Sequence, residues 1–355
     1  MIQISPILQW GILFWGIAIF LLLLITACNI YIKTKKGKKA YALRSKLLEE
    51  ITSYISTKEI TPKLLTRKKE RDIAIHLLLD LLEKFTGADH DYLCTLVENP
   101  SLSSWITKNL KSRNPRRLQP ALLLVKHIKD KKYLPLVEKI WNHHHTLTRL
   151  LSKEVALQIA GTSIIPTVLD SFKNESPACR IYLMESITRF RNEATPFLLN
   201  ALLKTEDPYT QISLIDGLKD LFAISTSDHL LELLKKSNNE GVQFAILNFF
   251  SDIPLPIPTN LLPQFLKHPS VIIRRMALIA SLCQETDKGI MRSILENTIN
   301  DDSWQIRYLS LHRWVSYFKE EKPPAKDHHL YERVLAEESI GLKAFGEGLE
   351  RPPLC

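Results

Sequence analysis

Apolar residues along this chain recur mostly three and four positions apart, the spacing of one face of an α-helix, in short runs separated by proline. In PSVIIRRMALIASL, Pro269 to Leu282, Pro269 and Ser270 can open a helix because a first-turn residue needs no N–H partner. Ile273, Ala277, Leu278 and Ala280 then form the inward stripe, with small Ala where a neighbouring helix comes close. The spacing returns downstream as Ile306-Arg307 with Ser310-Leu311. Upstream it returns as Val242-Gln243 with Ile246-Leu247, Thr210-Gln211 with Leu214-Ile215, and Cys179-Arg180 with Leu183-Met184. Two earlier copies are Ser152-Lys153 with Ala156-Leu157 and Arg116-Arg117 with Ala121-Leu122. The second position of each copy forms a column of Arg117, Lys153, Arg180, Gln211, Gln243, Arg274 and Arg307, with gaps of 36, 27, 31, 32, 31 and 33 residues. Two helices per such period predict an all-α chain, an α-solenoid of antiparallel helical hairpins.

The element resembles a HEAT or HEAT-like repeat, whose second helix often opens with Val-Arg and continues with paired small apolar residues. Ile273-Arg274 with Ala277-Leu278 matches best and Ile306-Arg307 next, whereas Thr210-Gln211 and Val242-Gln243 keep the spacing without the Arg. The resemblance covers about residues 115 to 318 and is specific for fold only, because such repeats serve as scaffolds, adaptors, regulators and occasionally enzymes. Tetratricopeptide repeats would show Trp, Leu-Gly and Tyr marks at a fixed period, which are absent.

Before the repeats the pattern changes. Ile12 to Ile32 is almost wholly apolar, and no charged side chain precedes Lys33. At 1.5 Å per residue that stretch makes roughly 31 Å of helix, enough to cross a bilayer's hydrocarbon core. Trp10 and Trp15 near one end and Tyr31 at the other suit the two interfaces. Lys33, Lys35, Lys36, Lys38 and Lys39 follow, with Arg44 and Lys46, ahead of the first acid at Glu49. That charge predicts contact with anionic lipid headgroups, a short N-terminus outside and the remaining chain in the cytoplasm, the protein spanning the inner or plasma membrane once. Ile25-Thr26-Ala27-Cys28 also resembles a lipoprotein cleavage box; a mature end this basic opposes export. The expected order is an extracytoplasmic end (1–11), a transmembrane helix (12–32), a basic juxtamembrane segment with a linker helix (33–60), a helical cap (61–114), HEAT-like repeats (115–318) and a C-terminal helical segment with a frayed tail (319–355). Within it, a helix from about Ala40 should bury Leu43, Leu47 and Ile51, and one from Thr61-Pro62 to about Phe85 should bury Ile73, Leu77, Leu78, Leu81 and Leu82. The run IPLPIP, 253 to 258, is expected as a rigid interruption inside one hairpin.

Charge is localised. Of the net +9, residues 33 to 46 carry +7 and residues 108 to 132 carry +8, so the rest sums to −6. The high net charge therefore comes from two local clusters and does not by itself support nucleic acid as the partner, while the second cluster could meet anionic headgroups or an acidic protein. A hydrophobic content of 45% with 24% charged residues belongs to a folded chain.

No nucleotide-binding, hydrolase-elbow or zinc-protease motif is present, and the five cysteines are widely spread. His143-His144-His145 would point in three directions on a helix and reads as a polar turn. No cofactor or metal is expected. The seven-residue column has two readings: side chains bridging to the next repeat, or groove residues contacting an acidic or peptide ligand. Glu185 and Asp216 read as polar positions that could face the inner surface. The expected function is a membrane-anchored scaffold or adaptor that holds another protein at the bilayer. The alternatives are a lyase- or glycosylase-like enzyme, which needs acidic, aromatic and basic residues in one groove, and a polyanion-binding solenoid.

Overall fold

Asn, Ser or Asp followed by Pro opens four of the helices, and the reason is local. The side chain before the Pro accepts a first-turn N–H that the helix leaves unpaired, and Pro at the first position has no N–H to satisfy. Asn99 thus accepts from Ser101 N (3.0 Å), Asn114 from Arg116 N (3.0 Å), Ser176 from Cys179 N (3.4 Å) and Asp207 from Thr210 N (2.9 Å). The computed structural model describes residues 41–54 and 71–345, apart from 254, 256, 259, 260, 285, 286, 319 and 320, together with Leu24 and Thr26. Among them every regular element is helical. They form two compact units, Met1–Ile159 and Ala160–Cys355.

The first unit contains α1 (41–54), α2 (Arg71–Leu82), α3 (Ala88–Val97), α4 (Pro100–Leu110), α5 (Pro115–Ile128), α6 (Leu134–Glu138) and α7 (Thr146–Ala160). Here α5 is central, packing against α2, α3 and α4 through the fully buried Leu118, Ala121, Leu122, Leu124 and Val125. Leu47 and Ile51 of α1 are buried as the period required, with Leu43 half-buried, and Arg44 pairs with Asp80 at 2.6 Å. The stripe Leu77, Leu78, Leu81 and Leu82 is buried and Ile73 half-buried. The start expected for that helix, at Thr61-Pro62, lies outside the described residues.

The second unit is built of helix pairs. Its first helices are α8 (Ile165–Asp170), α10 (Thr195–Lys204), α12 (Ser227–Lys236), α14 (Leu262–Leu266) and α16 (Lys288–Thr298). Its second helices are α9 (Pro177–Thr188), α11 (Pro208–Asp220), α13 (Glu240–Asp252), α15 (Val271–Gln284) and α17 (Trp304–Tyr317). Each pair from α10–α11 to α16–α17 packs internally, and α9, α11, α13, α15 and α17 pack in succession side by side. That is solenoid-like layering, in which an element meets its sequence neighbours and little else. Ala277 and Ala280 are fully buried, as the repeat register demands. Gly217 of α11 lies directly against the Met184 side chain of α9, an approach that a Cβ would block. After α17, α18 (His328–Phe345) packs on it.

Two expectations shift. The helix expected from Pro269 begins at Val271, the bend at Pro269 and Ser270 being tied by the Ser270 N–H to His268 Nδ1 (3.1 Å). The proline run from 253 follows α13 and precedes α14, so it separates two pairs and does not interrupt one. Its prolines withdraw backbone donors where one second helix must hand over to the next first helix.

Among the described residues no helix is long and apolar enough to cross a membrane. The expected span 12–32, Leu24 and Thr26 apart, and Lys33, Lys35, Lys36, Lys38 and Lys39 lie outside those residues.

Candidate functional site

The seven-residue column resolves into different environments. In the second unit, five members start from one local bond. Gln211 donates from Nε2 to the Thr205 carbonyl (2.9 Å), Gln243 to Ser237 (2.8 Å), Arg274 from Nη1 to His268 (2.8 Å) and Arg307 from Nη1 to Asp301 (2.9 Å). Each acceptor lies six residues earlier, in the loop that leads into the second helix. Arg180 does the same with the Phe172 and Glu175 carbonyls (2.9 and 3.1 Å). Bulk decides the next step. The longer Arg side chains reach onward to Asp207 from Arg180 (3.4 Å), to Asp301 from Arg274 (2.9 Å at both oxygens) and to Asp327 from Arg307 (3.3 Å).

Those acids also bond at the entry to the following helices, Asp207 and Asp327 to a first-turn N–H and Asp301 to Ser303, the residue ahead of α17. Asp207 accepts from Thr210 N, Asp301 from Ser303 N (2.8 Å) and Asp327 from Leu330 N (3.1 Å). One carboxylate therefore sets both the helix start and the spacing to the previous repeat. The Thr210 hydroxyl bonded to Asp207, ahead of Arg180, holds that carboxyl below its ordinary range. A signal for these acids was present in the sequence. Asp207 and Asp301 stand 27 residues after Arg180 and Arg274, while the corresponding positions after Gln211 and Gln243 are the neutral Asn238 and Ser270.

The first unit's two members differ from these. Lys153 is buried in α7, and its neighbour Glu154 takes an ion pair from Lys126 (2.8 Å). Arg117 is exposed at the start of α5 and lines a cavity with Arg116 and Lys108.

Flanking the column in the second unit is a feature that the sequence reading passed over. Ile181 and Phe244 stand one residue after column positions, Tyr209 and Ile272 two before, and Trp304 three before. Residues one helical turn apart share a face, so these side chains lie on one side of the successive second helices. They are exposed, Tyr209 to 67%, Ile272 to 63% and Trp304 to 61%. The columns adjoin across helices. A Cβ at Gly241, two before Gln243, would sit 2.9 Å from Ile212 Cδ1, one after Gln211. Their signal in the sequence is their regular offset from the column.

No family model matches the sequence, and no curated protein is significantly similar to it.

Asp216 lies one turn beyond Ile212 on the same side of α11, half-buried. Burial pushes its carboxyl up, Lys219 opposing and Asp220 adding to the shift. Glu185, at the equivalent place on α9, is exposed and pairs with Arg189 (3.6 Å). The two acids are thus rim groups beside an apolar strip.

A second cluster missed in the sequence lies in the first unit, where α3 meets α5. His90 Nε2 and His127 Nδ1 are hydrogen-bonded at 3.3 Å, and the Cys94 thiol donates to the His127 carbonyl (3.7 Å). Burial, then the His90 ring, lowers the His127 pKa, and burial, then Asp91 and Glu98, raises that of Cys94. Among the described residues no group of three or more His, Cys, Asp or Glu side chains is disposed to hold a metal ion. His143, His144 and His145 form the turn before α7: His143 stacks on His144 (4.3 Å) and His145 Nδ1 accepts from Thr148 N (3.4 Å). His328 and His329 open α18.

Proposed function

We propose that this chain is a membrane-anchored HEAT-like adaptor, which holds a partner protein against the exposed side of its second helices. The observation that carries the reading is the strip of Ile181, Tyr209, Phe244, Ile272 and Trp304, exposed large apolar groups at matching places on the five second helices. A patch of that kind gains free energy when a partner removes it from water, at about 25 cal/mol per Å² of apolar surface. The partner segment is apolar along the strip and carries a basic residue toward α11, where Asp216 has no ion pair or hydrogen bond among the described residues. Anchoring rests on the apolar stretch 12–32 and the lysines that follow it. A single span would confine partner and adaptor to one surface and raise their effective concentration.

The test places a photo-crosslinking residue at Ile272, or at Lys236 on the exposed end of α12, in the full chain produced in cells. A protein adduct at Ile272 only, recovered with membranes and lost from them when residues 1–32 are removed, is the expected result. Equal labelling at both positions, or none at Ile272, overturns the reading.

An enzymatic reading has one observation in its favour, since Asp72, Trp105 and several cations line one cavity. Asp72 is exposed and no second carboxylate lines the cavity among the described residues, so the adaptor reading is preferred.

A further inference from the structure

We propose that the cavity between α2, α4 and α5 binds a phosphate-bearing ligand. Its volume is about 610 Å³, within the range of small-ligand sites of roughly 300–1,000 Å³. Arg71 comes from α2, Trp105 and Lys108 from α4, and Arg116 and Arg117 from the first turn of α5; Asp72 is the acid among them.

Local structure brings the cations together. Asn114 caps α5 through the Arg116 N–H, which sets Arg116 and Arg117 at the positive end of a 14-residue helix. Lys108 lies three residues after Trp105 on α4, one turn along the same face. The buried Asn109 carboxamide donates to the Trp105 carbonyl (2.7 Å) beneath them.

The basic cluster from 108 to 132 divides by what its members touch. Toward the far end of α5, Lys126 is paired with Glu154 and Lys132 with Asp130 (2.6 Å). At the cavity, Lys108, Arg116 and Arg117 make no ion pair among the described residues. Like charges held together without a counter-ion repel one another, and an anion that enters relieves that repulsion. Planar guanidinium groups match phosphate oxygens two at a time, and the Trp105 ring offers an apolar wall to the organic portion. Among the described lining residues Asp72 is the one acid beside Lys108, Arg116 and Arg117.

Phosphate of this kind could come from a lipid headgroup or from a soluble molecule. Full chain in neutral phosphatidylcholine nanodiscs is titrated with inorganic pyrophosphate, and a parallel sample carries phosphatidic acid in the bilayer. Hydrogen exchange is read over 104–120. Protection by pyrophosphate alone assigns a soluble ligand, protection by phosphatidic acid alone assigns a headgroup, and protection by both assigns phosphate from either source. The double variant Arg116→Gln, Arg117→Gln should weaken binding on the order of tenfold or more, since each lost charge-assisted contact is a strong one. Asp72→Asn should tighten it. Lys131→Gln with Lys132→Gln, outside the cavity, should leave it unchanged. No protection by either probe, or equal losses in the cavity and control variants, overturns the assignment.

Discussion

Arg274 and Asp301 meet through two parallel hydrogen bonds of 2.9 Å across 27 residues of sequence, with 13% and 12% of their side chains exposed. The fork of Arg274 also holds the His268 and Pro269 carbonyls (2.8 and 3.0 Å), and Asp301 accepts from Ser303 N (2.8 Å). One pair thus joins the end of one loop, the start of the next second helix and the spacing between them.

Breaking that pair should be costly on one side and mild on the other. Asp301→Ala leaves a nearly buried guanidinium uncompensated, and should destabilise the second unit by about 3 kcal/mol. Arg274→Gln should cost less, because Gln211 and Gln243 show that a carboxamide keeps the bond to the carbonyl six residues back. Denaturant unfolding of both variants checks the order; equal losses would mean that the bridge itself contributes nothing.

Overpacking should act regionally. Ala280 is fully buried on α15, so Ala280→Trp should destabilise its surroundings by about 1–3 kcal/mol or more. Hydrogen exchange should rise over about residues 240–318 and stay slow before about Phe190, because stacked repeats meet only their neighbours. Uniform loss of protection would show a single cooperative core instead.

The His90–His127 contact should make the first unit acid-sensitive. The folded pKa of His127 is lowered by burial first, then by His90, Lys126 and Lys129, with Glu83 opposing. A lowered imidazole pKa means that the unfolded chain binds more protons in the window below the ordinary 6.5, so stability falls as pH drops through it. Protection of amides over 88–97 and 115–128, corrected for the intrinsic exchange rate at each pH, should fall as pH drops below the ordinary 6.5, and His127→Gln should flatten that dependence. An unchanged slope in the variant would assign the acid sensitivity to other groups.

Asp216 should trade stability against binding. Its folded pKa is raised by burial, so the folded carboxyl holds its proton to higher pH than the unfolded one, and the penalty grows as pH rises through the folded pKa. Asp216→Asn should therefore raise the melting temperature while weakening capture of a partner at the Ile272 crosslinker. A melting temperature that falls would show that the carboxylate supports the fold.

Much of this protein was legible along the chain because helical periodicity and capping are local. The stripe of Ile273, Ala277, Leu278 and Ala280, the Pro-marked starts of α4, α5, α9 and α11, and the column at Arg180, Gln211, Gln243, Arg274 and Arg307 each depend on residues within one or two turns. Two of the three acids that receive the Arg side chains, Asp207 and Asp301, recur at one distance from their Arg, 27 residues, whereas Asp327 stands 20 after Arg307. What only the tertiary structure decided was which side chains remain uncovered once the helices pack. Tyr209, Ile272 and Trp304 look like core residues by composition, yet side-by-side packing of the second helices leaves them in water. Arg71, Lys108 and Arg116 share a cavity, and His90 meets His127, because α5 packs against α2, α3 and α4. Those approaches are set by side-chain volume at each interface, as where Gly217 admits Met184, and volume fitted across tens of residues has no period to read.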